Sequence, residues 1–325
     1  MGPEGAVGPG VQVTGPTHGS TGAVEAIRDR SQVEAIGRAI EGWGTALGGD
    51  SRRPDLPWRS TRDPWAVLVS EVMAQQTQLA RVVPTYLRFM DRFPTSASCA
   101  AAPPGDVLRA WQGLGYNRRA RNLHRAARTV VAEHDGRLPS DLAGLLALPG
   151  VGTYTARAVL AFAFGADVGV VDTNAGRVLS RAVAGRPVRP GEAQRLVDAM
   201  VPPGRGWWFG QALLDLGAGT CLPRTPRCRE CPIRRRCRWA ASGHPGPDPA
   251  VGSAGVSVPQ SRFAGSDRQG RGRLIDALRR GELPVGDLAS VVGWEDQPER
   301  LDRVVAGLVA EELVVRTDAG TLRLP

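Results

Sequence analysis

Apolar residues recur at helical spacing along most of the chain before residue 250, and no alternating strand pattern of useful length interrupts them. Ser31 and Glu34 have the spacing of a capping box ahead of such a run, which predicts a helix beginning near Ser31. Asp63 followed by Pro64 is typical of an N-cap with proline at the first helical position, and predicts a helix to about residue 76. Further helices are predicted at residues 79–92, 104–113, 117–134, 141–147, 153–164, 173–183, 191–201 and 206–218.

These elements predict an all-α domain over residues 29–241. The Gly-, Pro- and Thr-rich residues 1–28 are predicted to be disordered, and the Pro-rich residues 242–262 to form a linker. Residues 263–325 are predicted to form a small winged-helix-like domain. Its expected elements are helices at 268–280, 285–292 and 297–311, and strands at Leu313–Arg316 and Thr321–Leu324.

The charge of the chain, +9 in total, is unevenly distributed. Residues 246–325 hold 10 Arg and 12 acidic residues, a net charge of −2, which leaves +11 on the first 245 residues. A polyanionic partner is therefore expected to bind the first domain. All 41 basic residues are Arg, so no lysine amine exists to form a Schiff base. No apolar run is long enough for a membrane helix and no signal peptide is evident, so we expect a cytosolic protein without a membrane partner.

Four of the five cysteines are crowded into 17 residues, as C-x6-C-x2-C-x5-C. Such spacing in a cytosolic protein favours a metal site over disulfides, and four thiolates suit either Zn²⁺ or a [4Fe–4S] cluster. Arginines surround the cysteines and suit either phosphate contact or compensation of a negatively charged metal site. Cys99 stands apart and is expected to be a packing residue. The predicted ligands are Cys221, Cys228, Cys231 and Cys237.

A tight turn joins the helices predicted at 141–147 and 153–164. Its sequence is Leu148-Pro149-Gly150-Val151-Gly152, in which proline and two glycines turn the chain directly into a helix. Exposed backbone N–H groups at such a turn can bind a phosphate, although a plain turn between helices would have the same composition.

This turn, the following Val170–Asn174 segment and the cysteine run together resemble the helix-hairpin-helix superfamily of DNA glycosylases. The cysteine spacing resembles that of endonuclease III and MutY relatives, in which it holds a [4Fe–4S] cluster. The resemblance covers roughly residues 31–240. It implies two all-α lobes with a DNA-binding cleft between them, and DNA contacts at Leu148, Gly150, Val151 and Gly152.

Residues 70–78, Ser-Glu-Val-Met-Ala-Gln-Gln-Thr-Gln, resemble the SEVM-x-QQT segment of MutY enzymes. The resemblance implies that Glu71 donates a proton to adenine N7 and later handles the attacking water. It also implies that Gln75 wedges into the base stack, with Gln76 and Thr77 beside it on the DNA.

Asp172 matches the superfamily carboxylate that stabilises the cation at C1′, and it is also placed to cap the next helix. Asn174 matches a MutY position that supports the same site. Tyr154 stands where lyase-competent endonuclease III enzymes have Lys, so strand cleavage through a Schiff base is not expected. Its hydroxyl is expected either to hydrogen-bond in the sugar–base pocket or simply to pack.

Two more segments resemble MutY enzymes. Trp111–Tyr116 matches WxGLGYY, which implies that Tyr116 inserts beside the lesion; Asn117 replaces the second tyrosine. Leu56-Pro57-Trp58-Arg59 matches LPWR, which implies that Trp58 and Arg59 line an adenine pocket.

The sequence therefore favours a monofunctional DNA glycosylase, nucleoid-associated and monomeric, that excises adenine opposite 8-oxoguanine or guanine in double-stranded DNA by base flipping. The winged-helix-like domain stands in place of the Nudix-like domain of typical MutY enzymes, which weakens the expectation of strong 8-oxoguanine preference. The first alternative is a thymine or uracil mismatch glycosylase of the same superfamily. The second is a non-catalytic DNA-binding protein that carries the cluster.

Overall fold

The computed structural model describes residues 30–47, 55–254 and 262–325. The tail predicted to be disordered, residues 1–28, lies outside the described residues. The helices of the first domain are α1 (Arg30–Ala46), α2 (Pro64–Ala74), α3 (Leu79–Arg92), α4 (Ser96–Ala101), α5 (Pro104–Ala110), α6 (Arg118–Glu133), α7 (Leu142–Ala147), α8 (Thr153–Phe162), α9 (Thr173–Val178), α10 (Pro190–Met200), α11 (Gly206–Gly219) and α12 (Arg238–Ala241). A π-helix, Leu179–Ala184, continues α9, and 3-10 turns lie at Pro57–Arg59 and Arg234–Arg236.

Two hydrophobic cores confirm the predicted two-lobed, all-α arrangement. The first core is built from α2 to α8, with Phe89, Trp111 and Val159 fully buried. The second core joins α1 to α9, α10, α11 and the cysteine loop, and it buries Ile40 and Leu213. Helix α1 thus packs against α10 and α11, which lie about 160 positions later in the chain.

Two local predictions about helices need correction. Ser31 is already the second residue of α1, so it is not the N-cap, and Glu34 accepts a hydrogen bond from Arg30 at 3.0 Å instead. Helix α4 was not predicted because its small residues carry no apolar periodicity. A capping box between Thr95 and Ser98 and packing against α6 hold it in place.

The last 64 residues form the predicted winged-helix-like unit, with helices α13 (Asp267–Leu278), α14 (Leu288–Val292) and α15 (Pro298–Ala310). Three strands, one more than predicted, make an antiparallel sheet in the order β1 (Leu283–Pro284), β3 (Thr321–Arg323), β2 (Val315–Arg316). Leu283 pairs with Leu322, and Val315 pairs with Arg323. The apolar side chains of this unit join the first core.

The predicted linker is in contact with the second lobe over the part that the structure describes. Asp248 forms an ion pair with Arg181, and the Ala254 N–H donates to the Val188 carbonyl at 3.0 Å. Residues 255–261 lie outside the described part. Among the described helices, none is both long and apolar enough to cross a membrane.

Candidate active site and adjoining loops

Glu71 lies on α2, a helix that begins as predicted with the Asp63 carboxylate accepting from the Trp65 N–H at 3.0 Å. Most of α2 is apolar and buried, and Glu71 is only partly exposed between buried neighbours. Burial raises the pKa of Glu71 from 4.5 to about 7; the Asp172 carboxylate also raises it, whereas a hydrogen bond from Tyr154 lowers it. A carboxyl with this pKa can both donate and accept a proton near neutral pH.

Tyr154, in the first turn of α8, donates its hydroxyl hydrogen bond to Glu71. Burial, followed by the negative charges of Glu71 and Asp172, raises the pKa of Tyr154 well above its ordinary value, so the phenol stays protonated. Of the two roles left open for this residue, the structure shows the hydrogen bond.

Asp172 is the N-cap of α9, as predicted, and accepts from the Ala175 N–H at 2.7 Å and from Asn174 Nδ2 at 2.8 Å. Burial raises the pKa of Asp172, while the hydrogen bonds from Ala175 and Asn174 oppose that rise. The Asp172 carboxylate accepts two short hydrogen bonds, from Asn174 and the Ala175 N–H, whereas the Glu71 carboxyl accepts one from Tyr154. The two carboxyl groups therefore have different environments within one site.

Asn174 connects this site to the cysteine loop through a buried arginine that the sequence did not single out. Arg177 donates to Asn174 Oδ1 at 2.8 Å, to the Gly217 carbonyl at 2.7 Å and to the Cys221 carbonyl at 2.6 Å. The position of the Asp172 partner therefore depends on the backbone at the first cysteine.

A buried ion pair lies near Glu71, and the sequence predicted its arginine but not its acidic partner. Arg59 makes two parallel hydrogen bonds to Asp215 of α11, at 2.8 and 2.7 Å, and both side chains are less than 10% exposed. Within the described residues, the Arg59 Nε is buried without a hydrogen-bond partner. The neighbouring Trp58 packs edge-on against Tyr86, with ring centroids 5.2 Å apart.

Two loops with strained backbones lie next to α2. Gln76 has φ 54° and Tyr116 has φ 48°, a left-handed conformation that non-glycine residues rarely adopt, and both side chains are exposed. Gln75, the predicted wedge, donates to Thr155 Oγ1 at 3.1 Å in the absence of DNA and is less exposed than Gln76.

Arg119 joins these two loops and was not predicted. Its guanidinium donates to the Val72 and Met73 carbonyls, each at 2.9 Å, and to the Thr77 hydroxyl at 2.9 Å. It also donates to the Gly115 carbonyl at 3.3 Å. The end of the Glu71 helix and the loop that carries a tyrosine are thus held by one side chain.

The hairpin turn has the geometry that its composition predicted. Gly150 has φ 79°, and a Cβ there would lie 2.7 Å from the Asn122 Cβ, so glycine is required twice over. Gly150 and Gly152 are exposed, whereas the side chains of Leu148 and Val151 are buried in the first core. Any DNA contact of Leu148 or Val151 must therefore come from the backbone.

The four clustered cysteines line one cavity with an empty volume of about 400 Å³, together with Leu216 and Trp239. Arg181, 1% exposed, donates to the Cys221 Sγ at 3.4 Å and to the Leu222 carbonyl at 2.7 Å. In the described part of the chain, no three His, Cys, Asp or Glu side chains converge as a single metal ion requires. Six arginines on the outside of the loop are exposed: Arg224, Arg227, Arg229, Arg234, Arg235 and Arg236.

Comparison with known families gives a match to the model described as HhH-GPD superfamily base excision DNA repair protein, over residues 69–203. The adenine DNA glycosylase of Mycolicibacterium smegmatis is 44% identical over 279 residues, which cover 85% of this chain and 92% of that protein. The human adenine DNA glycosylase is 39% identical over 67% of this chain but only 42% of its own length.

Among solved structures, a thermostable thymine-DNA glycosylase superimposes with a TM-score of 0.59 at 28% identity, covering 65% of this chain and 98% of that one. A DNA-bound covalent intermediate of endonuclease III superimposes with a TM-score of 0.56 at 23% identity, and this likeness concerns the fold alone.

Proposed function

Because this chain belongs to the HhH-GPD superfamily of base excision DNA repair proteins and, within it, to the adenine DNA glycosylases, we propose that it removes adenine from DNA by hydrolysing the N-glycosidic bond. The observation that carries the proposal is the pairing of two carboxyl groups in unlike environments at one site, Glu71 with a pKa raised to about 7 and Asp172 held by hydrogen-bond donors.

Glu71 acts as the general acid. With a pKa near 7 it is roughly half-protonated at neutral pH, so it can protonate the leaving adenine and then, as a carboxylate, accept a proton from the attacking water. The hydrogen bond from Tyr154 orients the carboxyl and keeps its pKa from rising further.

Asp172 stabilises the positive charge that develops on the sugar as the bond to the base breaks. Hydrogen bonds from Asn174 and the Ala175 N–H favour its ionised form, which is the form that this role needs. Asn174 is a positioning residue, since it acts on the reaction through Asp172.

Arg59 and Trp58 form the wall of the base pocket. The Arg59 Nε is buried and left over from the ion pair with Asp215, so it offers a donor to the flipped base. Asp215 fixes the guanidinium by two hydrogen bonds and belongs to the same wall.

The DNA is bound by three features of the fold. Exposed backbone at Gly150 and Gly152 contacts one phosphate, and the exposed arginines of the cysteine loop contact other phosphates. Gln75 wedges into the base stack with Gln76 and Thr77 beside it on the DNA, and the exposed Tyr116 inserts beside the lesion. We propose a monomer acting on double-stranded DNA, located in the cytoplasm with the nucleoid.

The substrate proposed is adenine opposite 8-oxoguanine or guanine, and the enzyme is monofunctional. Because the chain has no lysine and Tyr154 stands in the first turn of α8, the site offers no side-chain amine to cleave the strand through a Schiff base. A thymine or uracil mismatch activity is the second candidate, favoured by the structural likeness to the thymine-DNA glycosylase.

The cysteine cavity is proposed to hold a [4Fe–4S] cluster. Four thiols that line one cavity suit either that cluster or Zn²⁺, and the C-x6-C-x2-C-x5-C spacing, which resembles that of endonuclease III and MutY relatives, favours the cluster. A cluster ligated by Cys221, Cys228, Cys231 and Cys237 would fix the arginine-bearing loop. Iron and acid-labile sulfide in equal amounts, about four of each per chain, would support this assignment, and stoichiometric zinc would refute it.

The function is tested by single-turnover base release from duplexes with A opposite 8-oxoguanine, A opposite G, T opposite G or U opposite G. We expect alkali-dependent cleavage of the adenine strand and no cleavage without alkali. Release of T or U but not A would decide for the second candidate. Binding without an abasic product from any duplex would decide for a non-catalytic protein.

A further inference from the structure

The C-terminal domain, residues 262–325, has no assigned role, and its charge argues against phosphate binding as its main task. Residues 262–325 hold 10 Arg and 11 acidic residues, a net charge of −1, while residues 1–261 carry +10. The mycobacterial relative matches 85% of this chain, so that match cannot end before about residue 275 and reaches into this domain. A function other than DNA attraction is therefore needed for it.

Among residues 30–47, 55–254 and 262–325, the hydrogen bonds found between this domain and the rest of the protein fall on one short stretch, from α5 to the beginning of α6. The Gly105 N–H donates to the Pro325 carbonyl at 2.7 Å, and a Cβ on Gly105 would lie 2.6 Å from that oxygen. Arg121 donates to the Glu311 carbonyl at 2.5 Å. Between these two contacts lies the loop that carries Tyr116.

Arg279 is the contact nearest to that loop. Its side chain is 7% exposed, ion-paired with Asp276, and it donates to the Leu108 carbonyl at 3.0 Å and to Asn117 Oδ1 at 2.9 Å. Asn117 is the N-cap of α6, yet its side chain makes no cap hydrogen bond. The backbone of Asn117 is already helical, with φ −57° and ψ −20°, so its side chain is not in the geometry of a cap, and its oxygen accepts from the C-terminal domain.

The residue between the loop and this contact is strained. Tyr116 has φ 48°, with Gly115 at 69° before it, and it directly precedes Asn117. Arg119 supports the loop from inside through the Gly115 carbonyl, and Arg279 holds the Asn117 side chain on the side of the C-terminal domain. A strained residue persists only where its surroundings hold it in place.

We propose that the C-terminal domain is a brace that holds the Tyr116 loop in the conformation that enters DNA, and that Arg279 is the positioning residue through which it acts. This inference rests on the proposed function. The proposal also explains why Asn117 stands where the MutY segment has tyrosine. The short amide side chain leaves room for the Arg279 guanidinium and accepts a hydrogen bond from it.

The test compares full-length Arg279→Ala with Arg280→Ala, an exposed arginine next to it. In single-turnover base release, Arg279→Ala is expected to raise the half-saturating enzyme concentration about tenfold, with the limiting rate and its pH profile unchanged. Arg280→Ala should stay within twofold of the wild type. Asn117→Ala removes the acceptor and should reproduce the effect even where Arg279→Ala folds poorly, which thermal melting will reveal.

A second arm asks whether the brace acts through the tyrosine. In a Tyr116→Ala background, Arg279→Ala should add no further loss; additive losses, or unchanged binding by both Arg279→Ala and Asn117→Ala, would overturn the proposal. Equilibrium binding and the fluorescence of 2-aminopurine beside the target adenine report loop insertion without turnover. If the wild type releases no adenine, the proposed function is refuted. The brace can still be tested in that case, because DNA binding and 2-aminopurine fluorescence need no turnover.

Discussion

Replacing Glu71 by glutamine should abolish base release and at the same time stabilise the protein at alkaline pH. The glutamine has nearly the shape of the protonated acid but cannot ionise or transfer the proton. If burial holds the Glu71 carboxyl in a place where its charge is unfavourable, that penalty must disappear with the charge.

The size of the stabilisation follows from the pKa of Glu71, which is 4.5 ordinarily and about 7 in the folded protein. Because the pKa of Glu71 is higher in the folded than in the unfolded protein, the wild type has its full stability below the unfolded pKa. It loses stability as the pH rises from there through the folded pKa. At about 1.4 kcal/mol for each pKa unit, the full effect above pH 8 is at most ~3.5 kcal/mol. Because Glu71 remains partly exposed to solvent, we expect the variant's advantage to grow by about 1–2 kcal/mol between pH 5.5 and 8.5.

Thermal unfolding across this pH range measures the effect. For a chain of this size 1 kcal/mol corresponds to roughly 2 °C, so the gap between Glu71→Gln and the wild type should widen by about 2–4 °C towards alkaline pH. Glu133→Gln, at the exposed end of α6, is the matched control and should give a constant gap. Parallel curves for Glu71→Gln and wild type, or adenine release retained by the variant, would refute the reasoning.

Three other substitutions test neighbouring parts of the site. Tyr154→Phe removes the hydroxyl that lowers the pKa of the general acid, so the alkaline limb of the pH–rate profile should move to higher pH, and an unmoved limb would contradict the hydrogen bond. Asp215→Asn leaves Arg59 buried without its charge partner and should destabilise the protein by about 3–5 kcal/mol, measured by denaturant unfolding; a loss below 1 kcal/mol would mean that the pair is solvated. Arg177→Gln should slow single-turnover release at least tenfold without weakening duplex binding, because it disturbs the support of Asp172; equal losses in both would indicate general unfolding.

Helix positions were predictable wherever local chemistry determines them. The proline after Asp63 and the aspartate at 172 both mark helix starts that the structure reproduces with side-chain caps. Most predicted helix bounds lie within three residues of the observed ones. The agreement is close because caps and apolar spacing depend only on neighbouring positions in the chain. The two cores also follow from this, since amphipathic helices must bury their apolar faces.

The elements that escaped prediction depend on distant partners. Strand β1 is only two residues long and contains Pro284, and it exists because Leu322, 39 positions later, pairs with Leu283. Helix α4 is held by α6 rather than by periodicity of its own. Pairings across such distances leave no periodic signal in a single sequence.

The same limit applies to the site. Glu71, Tyr154 and Asp172 were predicted from short segments and meet in the structure. Asp215 was missed because its partner lies 156 positions away, and Arg119 because its hydrogen bonds go to carbonyl groups, which every residue has. Residues that hold the site together by contacts to the backbone have no sequence motif to reveal them.

Those supporting residues share one chemical solution. Arg59, Arg119 and Arg177 are buried or half-buried, and each guanidinium spreads its donors over two or more fixed acceptors: a carboxylate, two loops, or an amide and two carbonyls. A planar group with five N–H donors can offset its desolvation in this way, whereas a lysine with one nitrogen cannot reach acceptors on separate segments at once. The 3-10 turn at Pro57–Arg59, the loops of Gln76 and Tyr116, and the Asn174 that supports Asp172 are therefore each positioned by a guanidinium. Substitution by lysine at any of these three positions should be far more damaging than substitution at an exposed arginine of the cysteine loop.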